Sequence, residues 1–207
     1  MTRMQYTVSI AFSPLDQLIE IAKAAEELGF DNIALPDSIF YFEKQSVDYP
    51  PYTADGKRMF DENSPWVDPL ILAGALGAVT SKLRFYTNVM KLGSRNPLLL
   101  ARQVGSVANL TNNRFGFGVG IGWAPEEFEW CGGVPFAKRG KRVDEMIDII
   151  KLVLAGGMVE HHGEFYDFDR LQMSPPHRRS PFRSTSAATP TWHSSVRSGS
   201  ATAGPAR

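Results

Sequence analysis

Leu83-Arg84-Phe85-Tyr86-Thr87-Asn88-Val89, then Asn96-Pro97 and Leu98 to Leu110, then Arg114-Phe115-Gly116-Phe117-Gly118-Val119-Gly120-Ile121 decide the fold. The outer two stretches are short runs rich in β-favouring aromatic and branched residues. Between them Leu99, Leu100, Val104, Val107 and Leu110 recur at helical spacing. Asn96 stands where a helix N-cap should be and Pro97 at the first helical position, which lacks an N–H partner in any case. A strand, a helix and a second strand in this order predict parallel strands joined by a right-handed crossover.

The same beat extends in both directions. Upstream, Tyr6 to Phe12 predicts a first strand, with Ser13-Pro14 as N-cap and N1 of a helix carrying Leu15, Leu18, Ile19, Ala22 and Ala25. Gly29 ends that helix, and Asn32-Ile33-Ala34-Leu35 is a second, buried strand. A polar and aromatic insertion runs from Ser38 to about Trp66, after which Asp68-Pro69 opens a helix with Leu70, Leu72, Ala73 and Leu76. Downstream, Lys141 to Leu154 is helical and Gly156-Gly157 stop it. Met158 to His161 and Glu164 to Phe168, around His162-Gly163, predict a small hairpin. Strict β/α alternation leaves two architectures, an open doubly wound sheet or a (β/α)8 barrel. Four β/α units make about the first half of such a barrel.

Composition narrows the function. Five of the 22 basic residues lie beyond Pro175, so residues 1–175 carry 17 basic against 22 acidic groups, a net of −5. A mildly acidic body lacks the clustered Lys and Arg of a nucleic-acid surface. No run of about 20 apolar residues exists to span a membrane, and no apolar run of signal-peptide length opens the chain. One cysteine, Cys131, permits no internal disulfide and fits a cytoplasmic protein. His161 and His162 are adjacent, point to opposite faces of a strand and have no companion ligands, so no metal site is expected.

In parallel α/β folds ligands bind at the carboxyl ends of strands. Asp37 follows the second strand directly, as a hydrogen-bonding or proton-handling carboxylate or as a turn residue. Thr87-Asn88-Val89 puts polar groups at the end of the third, as a turn or as part of a site. Gly116, Gly118, Gly120 and Gly122 alternate along the fourth, baring one face to either a flat ring or a packed helix. The string has a dinucleotide-like glycine spacing, but it lies inside a strand rather than at a turn into a helix, which argues against a Rossmann site.

These pieces together resemble the luciferase-like monooxygenase superfamily, in particular its coenzyme F420-dependent oxidoreductases. The resemblance rests on Leu28-Gly29-Phe30-Asp31, Pro36-Asp37, Arg95-Asn96-Pro97, Leu100-Ala101-Arg102-Gln103, Asn112-Asn113-Arg114, Gly118 to Trp123, Glu126-Glu127-Phe128 and Lys138 to Arg142. It implies a TIM-barrel-like (β/α)8 fold and a small-molecule substrate reduced or oxidised by hydride transfer with coenzyme F420. FMN with monooxygenase chemistry is the alternative, and a homodimer is the family's usual assembly. Asp37 would lie at the ring edge, and Thr87, Asn88 and Val89 would form the bulge, often with a non-prolyl cis peptide, behind the ring. Gly120, Gly122, Trp123 and Glu126 would line the other side. Many relatives use a histidine just after the strand-2 acid for proton transfer; that position is Ser38 here, so Asp37 and Ser38 are the catalytic candidates without an assigned proton donor.

From Pro176 to Arg207 the chain has no Asp, Glu, Lys, Leu, Ile or Asn, and only Phe182, Trp192 and Val196 as larger apolar groups. Such a segment cannot bury enough surface to offset its ordering entropy. Residues 1–175 are therefore expected to be the luciferase-like unit and 176–207 a non-native, disordered tail. Ser184 to Gly204, back-translated and reread one base out of register, is compatible with a strand, a Gly-Gly loop, a helix and Gly-Asp-Gly-Trp. The expectation is a frameshift near Ser174 to Pro176, with no function for His177, Arg178, Arg179, Trp192 or His193. A truncated half-barrel with open strand edges would be a poor enzyme or a non-catalytic fragment.

Overall fold

A computed structural model describes residues 3–47, 57–131 and 135–176. Expectations for the chain beyond Pro176, and for residues 48–56 of the aromatic insertion, lie outside the described residues.

Four parallel strands form the main sheet in the order β1 (Thr7–Ser9), β2 (Asn32–Leu35), β3 (Arg84–Thr87) and β5 (Phe115–Gly116). Between β3 and β5 comes β4 (Met90–Lys91), which pairs in parallel with β6 (Val119–Gly120) and carries the same strand direction onward. The crossovers are α1 (Leu18–Glu27), α2 (Pro69–Val79) and α3 (Pro97–Leu110). A short α4 (Pro125–Trp130), the long α5 (Arg139–Ala155) and an antiparallel hairpin, β7 (Val159–His162) with β8 (Asp167–Leu171), complete the described chain. These are the parallel strands and helical crossovers that the alternation implied. Its core lies between sheet and helices, where Ile33, Leu35, Leu76, Phe85, Leu100, Met146 and Ile150 are almost wholly buried.

Helix starts follow local chemistry. The Asp68 carboxylate accepts from the N–H groups of Leu70 (2.8 Å) and Ile71 (3.1 Å). The Asn96 side chain accepts in the same way from Leu98 (2.9 Å) and Leu99 (3.2 Å). With proline at the first helical position of each, one cap thus satisfies two of the three remaining orphan donors. Ser13 is not such a cap. Phe12 takes a left-handed φ of 63°, and a 3₁₀ turn at Leu15–Gln17 precedes α1, whose start has no side-chain cap.

Side chains also close the ends that glycine does not. Arg114 donates to the carbonyls of Gly77, Thr80, Leu83 and Thr111, satisfying acceptors at the ends of α2 and α3. Glu26 accepts from the N–H groups of Ser81, Lys82 and Leu83 in the turn between α2 and β3. Desolvation would raise its pKa, but those backbone donors outweigh it and hold the carboxyl at about 2.

The expected strands differ in extent: the first covers only Thr7–Ser9 rather than Tyr6 to Phe12, and the third Arg84–Thr87 rather than Leu83 to Val89. The fourth does not run unbroken from Arg114 to Ile121, because Thr87 Oγ1 both donates to Gly118 O (2.6 Å) and accepts from Gly118 N (2.9 Å). The Thr87 hydroxyl takes the place of a backbone acceptor for the Gly118 N–H, and strand pairing resumes at Val119. In the hairpin the second strand starts at Asp167 rather than Glu164. Gly163 N bonds Tyr166 O, and Glu145 of α5 accepts from Phe165 N and Tyr166 N, so residues 163–166 are the turn.

Candidate cofactor site

The site is built where the third strand leaves the sheet. Leu35 pairs in register with Thr87, and Asn88 N still donates to Leu35 O at 2.8 Å. The chain then steps out for Asn88 and Val89, joined by a cis peptide, and returns as β4 when Met90 N donates to Gly118 O. Asn88 and Val89 are exposed although Thr87 and Met90 on either side are buried. An open apolar side chain and a peptide edge therefore stand at the carboxyl ends of the strands.

The glycines of the neighbouring strand fit this bulge. A Cβ on Gly120 would lie 2.7 Å from Val89 Cγ2, and one on Gly118 would lie 2.1 Å from Thr87 O. Gly122, at φ +82°, faces the Phe128 ring of α4, where a Cβ would come within 2.9 Å. Of the two occupants expected for the bare face, a packed helix holds at Gly122 alone. Along Gly116, Gly118 and Gly120 the occupant is the adjoining strand, with Tyr86, Thr87 and Val89 pressed against the glycines.

Behind the bulge lies a buried ionic cluster. Asp37 Oδ2 accepts from Lys91 N at 2.8 Å, and Oδ1 pairs with Arg95 Nη2 at 2.7 Å. Arg95 also reaches Asp68 at 3.6 Å. Lys91 Nζ donates to Glu127, a side chain only 1% exposed. Burial pushes the Glu127 carboxyl above its usual range, and the Lys91 charge only partly counters this. The expected ring-edge acid thus has a different setting. The Asp37 side chain is 1% exposed, and both its oxygens are engaged in holding β4 and Arg95.

Beyond the bulge, the insertion packs on α4. Glu126 accepts from Ser46 N at 2.8 Å. Burial would raise its pKa, but hydrogen bonds from its own backbone and from Ser46, with the nearby Arg58 charge, hold it below the ordinary value. Phe42 packs 5.8 Å from Trp123, Phe40 stacks on Trp130 at 5.5 Å, and the Arg58 guanidinium lies 4.2 Å from the Tyr41 ring centre. This gives the polar strand ends an aromatic cover.

Asp37, Ser38, Thr87, Asn88, Val89, Gly120, Gly122, Trp123 and Glu126 all come from the carboxyl-end segments of three adjacent strands. Lys91, Arg95, Glu127 and Arg58 were not among the candidate site residues. Lys91 had a legible signal, since it is the one charge in the apolar run Val89 to Leu92. His161 and His162 serve the hairpin, pairing with Glu145 and Asp167, and no group of three or more metal-capable side chains occurs among the described residues. Ser38 Oγ, Ser94 Oγ and Arg95 Nε are buried without a hydrogen-bond partner among the described residues. Buried polar atoms ordinarily find partners. An exposed apolar bulge beside such atoms fits a flat heteroaromatic ring with polar edges.

A family model for luciferase-like monooxygenases matches residues 2–204. A protein of Mycobacterium tuberculosis is 45% identical over 172 residues, which are 83% of this chain and 59% of the relative. An F420-dependent secondary alcohol dehydrogenase, solved with an F420–acetone adduct, superposes with a TM-score of 0.66 at 22% identity, over 86% of this chain and 51% of that one. The oxygenating constituent of 3,6-diketocamphane monooxygenase from Pseudomonas putida, solved with FMN, superposes at 0.64 and 17% identity, over 87% and 48%. The chain spans about three-fifths of the mycobacterial relative and about half of each solved structure.

Proposed function

The chain belongs to the luciferase-like monooxygenase family, and from that premise we propose that its strand ends hold a deazaflavin, coenzyme F420, for hydride transfer to or from a small organic substrate. The observation that carries this is the bulge, with exposed Asn88 and Val89 between the Asp37–Arg95 pair and Gly120 of β6. FMN is the second candidate, favoured by the FMN-bound structural neighbour as F420 is by the F420-bound one.

The bound ring would supply the hydride chemistry. The protein's part is placement. Val89 offers an apolar wall for one ring face, and Thr87, locked to Gly118, fixes where that wall begins. Asp37 acts as a positioning residue, because its carboxylate holds the Lys91 N–H and the Arg95 guanidinium. Ser38 Oγ, buried and unpartnered, is the hydroxyl placed to bond a ring edge or to pass a proton. Trp123 and Phe42 keep water from the substrate side, and Glu126 holds the insertion over it through Ser46. Titration of the chain with F420 and with FMN, followed by absorbance and fluorescence, tests this. Tighter binding of F420 is expected; preference for FMN assigns the alternative, and binding of neither overturns the site.

A further inference from the structure

Lys91 is held from three directions. Its N–H donates to Asp37 at the end of β2, its backbone pairs with Gly120 of β6, and its ammonium donates to Glu127 of α4. Both partners of the ion pair are buried, Lys91 at 8% and Glu127 at 1% exposure. Taking two charges out of water costs several kcal/mol per ion, and apolar residues of similar volume often serve stability as well or better. The pair is therefore poorly explained as a stabilising contact. Glu127 Oε2, moreover, has no hydrogen-bond partner among the described residues.

What the pair does supply is direction. An apolar contact would let α4 slide, whereas one ammonium on one carboxylate fixes the helix against β4. The residue after Glu127 is Phe128, whose ring fills the space above both Gly93 and Gly122. Anchoring Glu127 thereby sets where Gly122 and Trp123 stand relative to Val89, two residues before Lys91.

We infer that Lys91 and Glu127 are positioning residues for the ring wall, setting the distance between the Asn88–Val89 bulge and the Gly120–Trp123 segment. The inference rests on the ring site proposed above. The test compares the full chain with Lys91→Met, Glu127→Gln, Lys91→Arg and the double variant Lys91→Met/Glu127→Met. Thermal midpoints, FMN and F420 affinities, and amide exchange at Lys91 and Leu92 are measured for each. The single charge-removing variants should lose stability, and the double variant should recover the parental midpoint. Ring affinity should nevertheless stay at least tenfold weaker in the double variant, with Lys91→Arg restoring most of it. A double variant of parental midpoint that binds the ring as tightly as the parent overturns the inference. If the parent binds neither ring, the site proposal fails and amide exchange decides the role of the pair. Exchange at Lys91 and Leu92 at least tenfold faster in the double variant upholds it, and unchanged exchange overturns it.

Discussion

Removing the Asp37 carboxylate leaves the Arg95 guanidinium without its nearest partner and the Lys91 N–H without an acceptor. Breaking a buried pair costs about 3–5 kcal/mol, and the partial exposure of Arg95 brings the expected loss for Asp37→Ala down to about 2–3 kcal/mol. Asp37→Asn keeps an acceptor and should cost about half as much; urea unfolding of the two variants measures the difference. Gly120→Ala makes a second demand at this scale. Its new Cβ would lie 2.7 Å from Val89 Cγ2, so the branched, χ1-restricted Val89 side chain must rotate away or the bulge must shift. A stability loss of about 1–3 kcal/mol is expected, with ring affinity falling in parallel in the same titrations. The sequence made the position of Asp37 legible because a strand end is a local feature. Its partners were hidden, because Lys91 and Arg95 lie 54 and 58 residues away and only the fold brings them in.

Helix caps show the same division among elements. Asp68 and Asn96 could be recognised from the residue that follows each, since a cap acts within its own first turn. Asp68→Ala and Asn96→Ala should each cost about 1 kcal/mol in chemical denaturation. Ser13 precedes a proline in the same way yet caps nothing, because the left-handed Phe12 and the 3₁₀ turn displace the start of α1. The break in the fourth strand was invisible for a different reason. It depends on the Thr87 hydroxyl reaching Gly118 across 31 residues. Glu26 offers a pH test of one connection. A carboxyl held at about 2 binds fewer protons folded than unfolded. Its contribution is therefore whole above its ordinary pKa of 4.5 and is lost as pH falls through about 2. Glu26→Gln should flatten the acid limb of the stability profile between about pH 5 and pH 2. A limb as steep as the parent's would show that the turn between α2 and β3 does not depend on that charge.

At the scale of the whole molecule, parallel strands bring the candidate site residues to one end of the sheet, and the ionic cluster, the bulge and the aromatic cover gather there. The end carries exposed Val89, buried Asp37 and Glu127, and orphaned hydroxyls on Ser38 and Ser94. A cavity of about 280 Å³ elsewhere on the described chain, between α3 and Met173, is lined by Arg102, Ser106 and Asn109, but Arg102 already donates to Ser174 O and the Ser106 hydroxyl to Arg102 O. A crystal structure of the chain grown with F420 or FMN separates the two locations. The ring is expected against Val89 and Asn88, with an edge toward Ser38 and the opposite side facing Gly122 and Trp123. A ring bound instead in the α3–Met173 groove, or on the hairpin face, contradicts it.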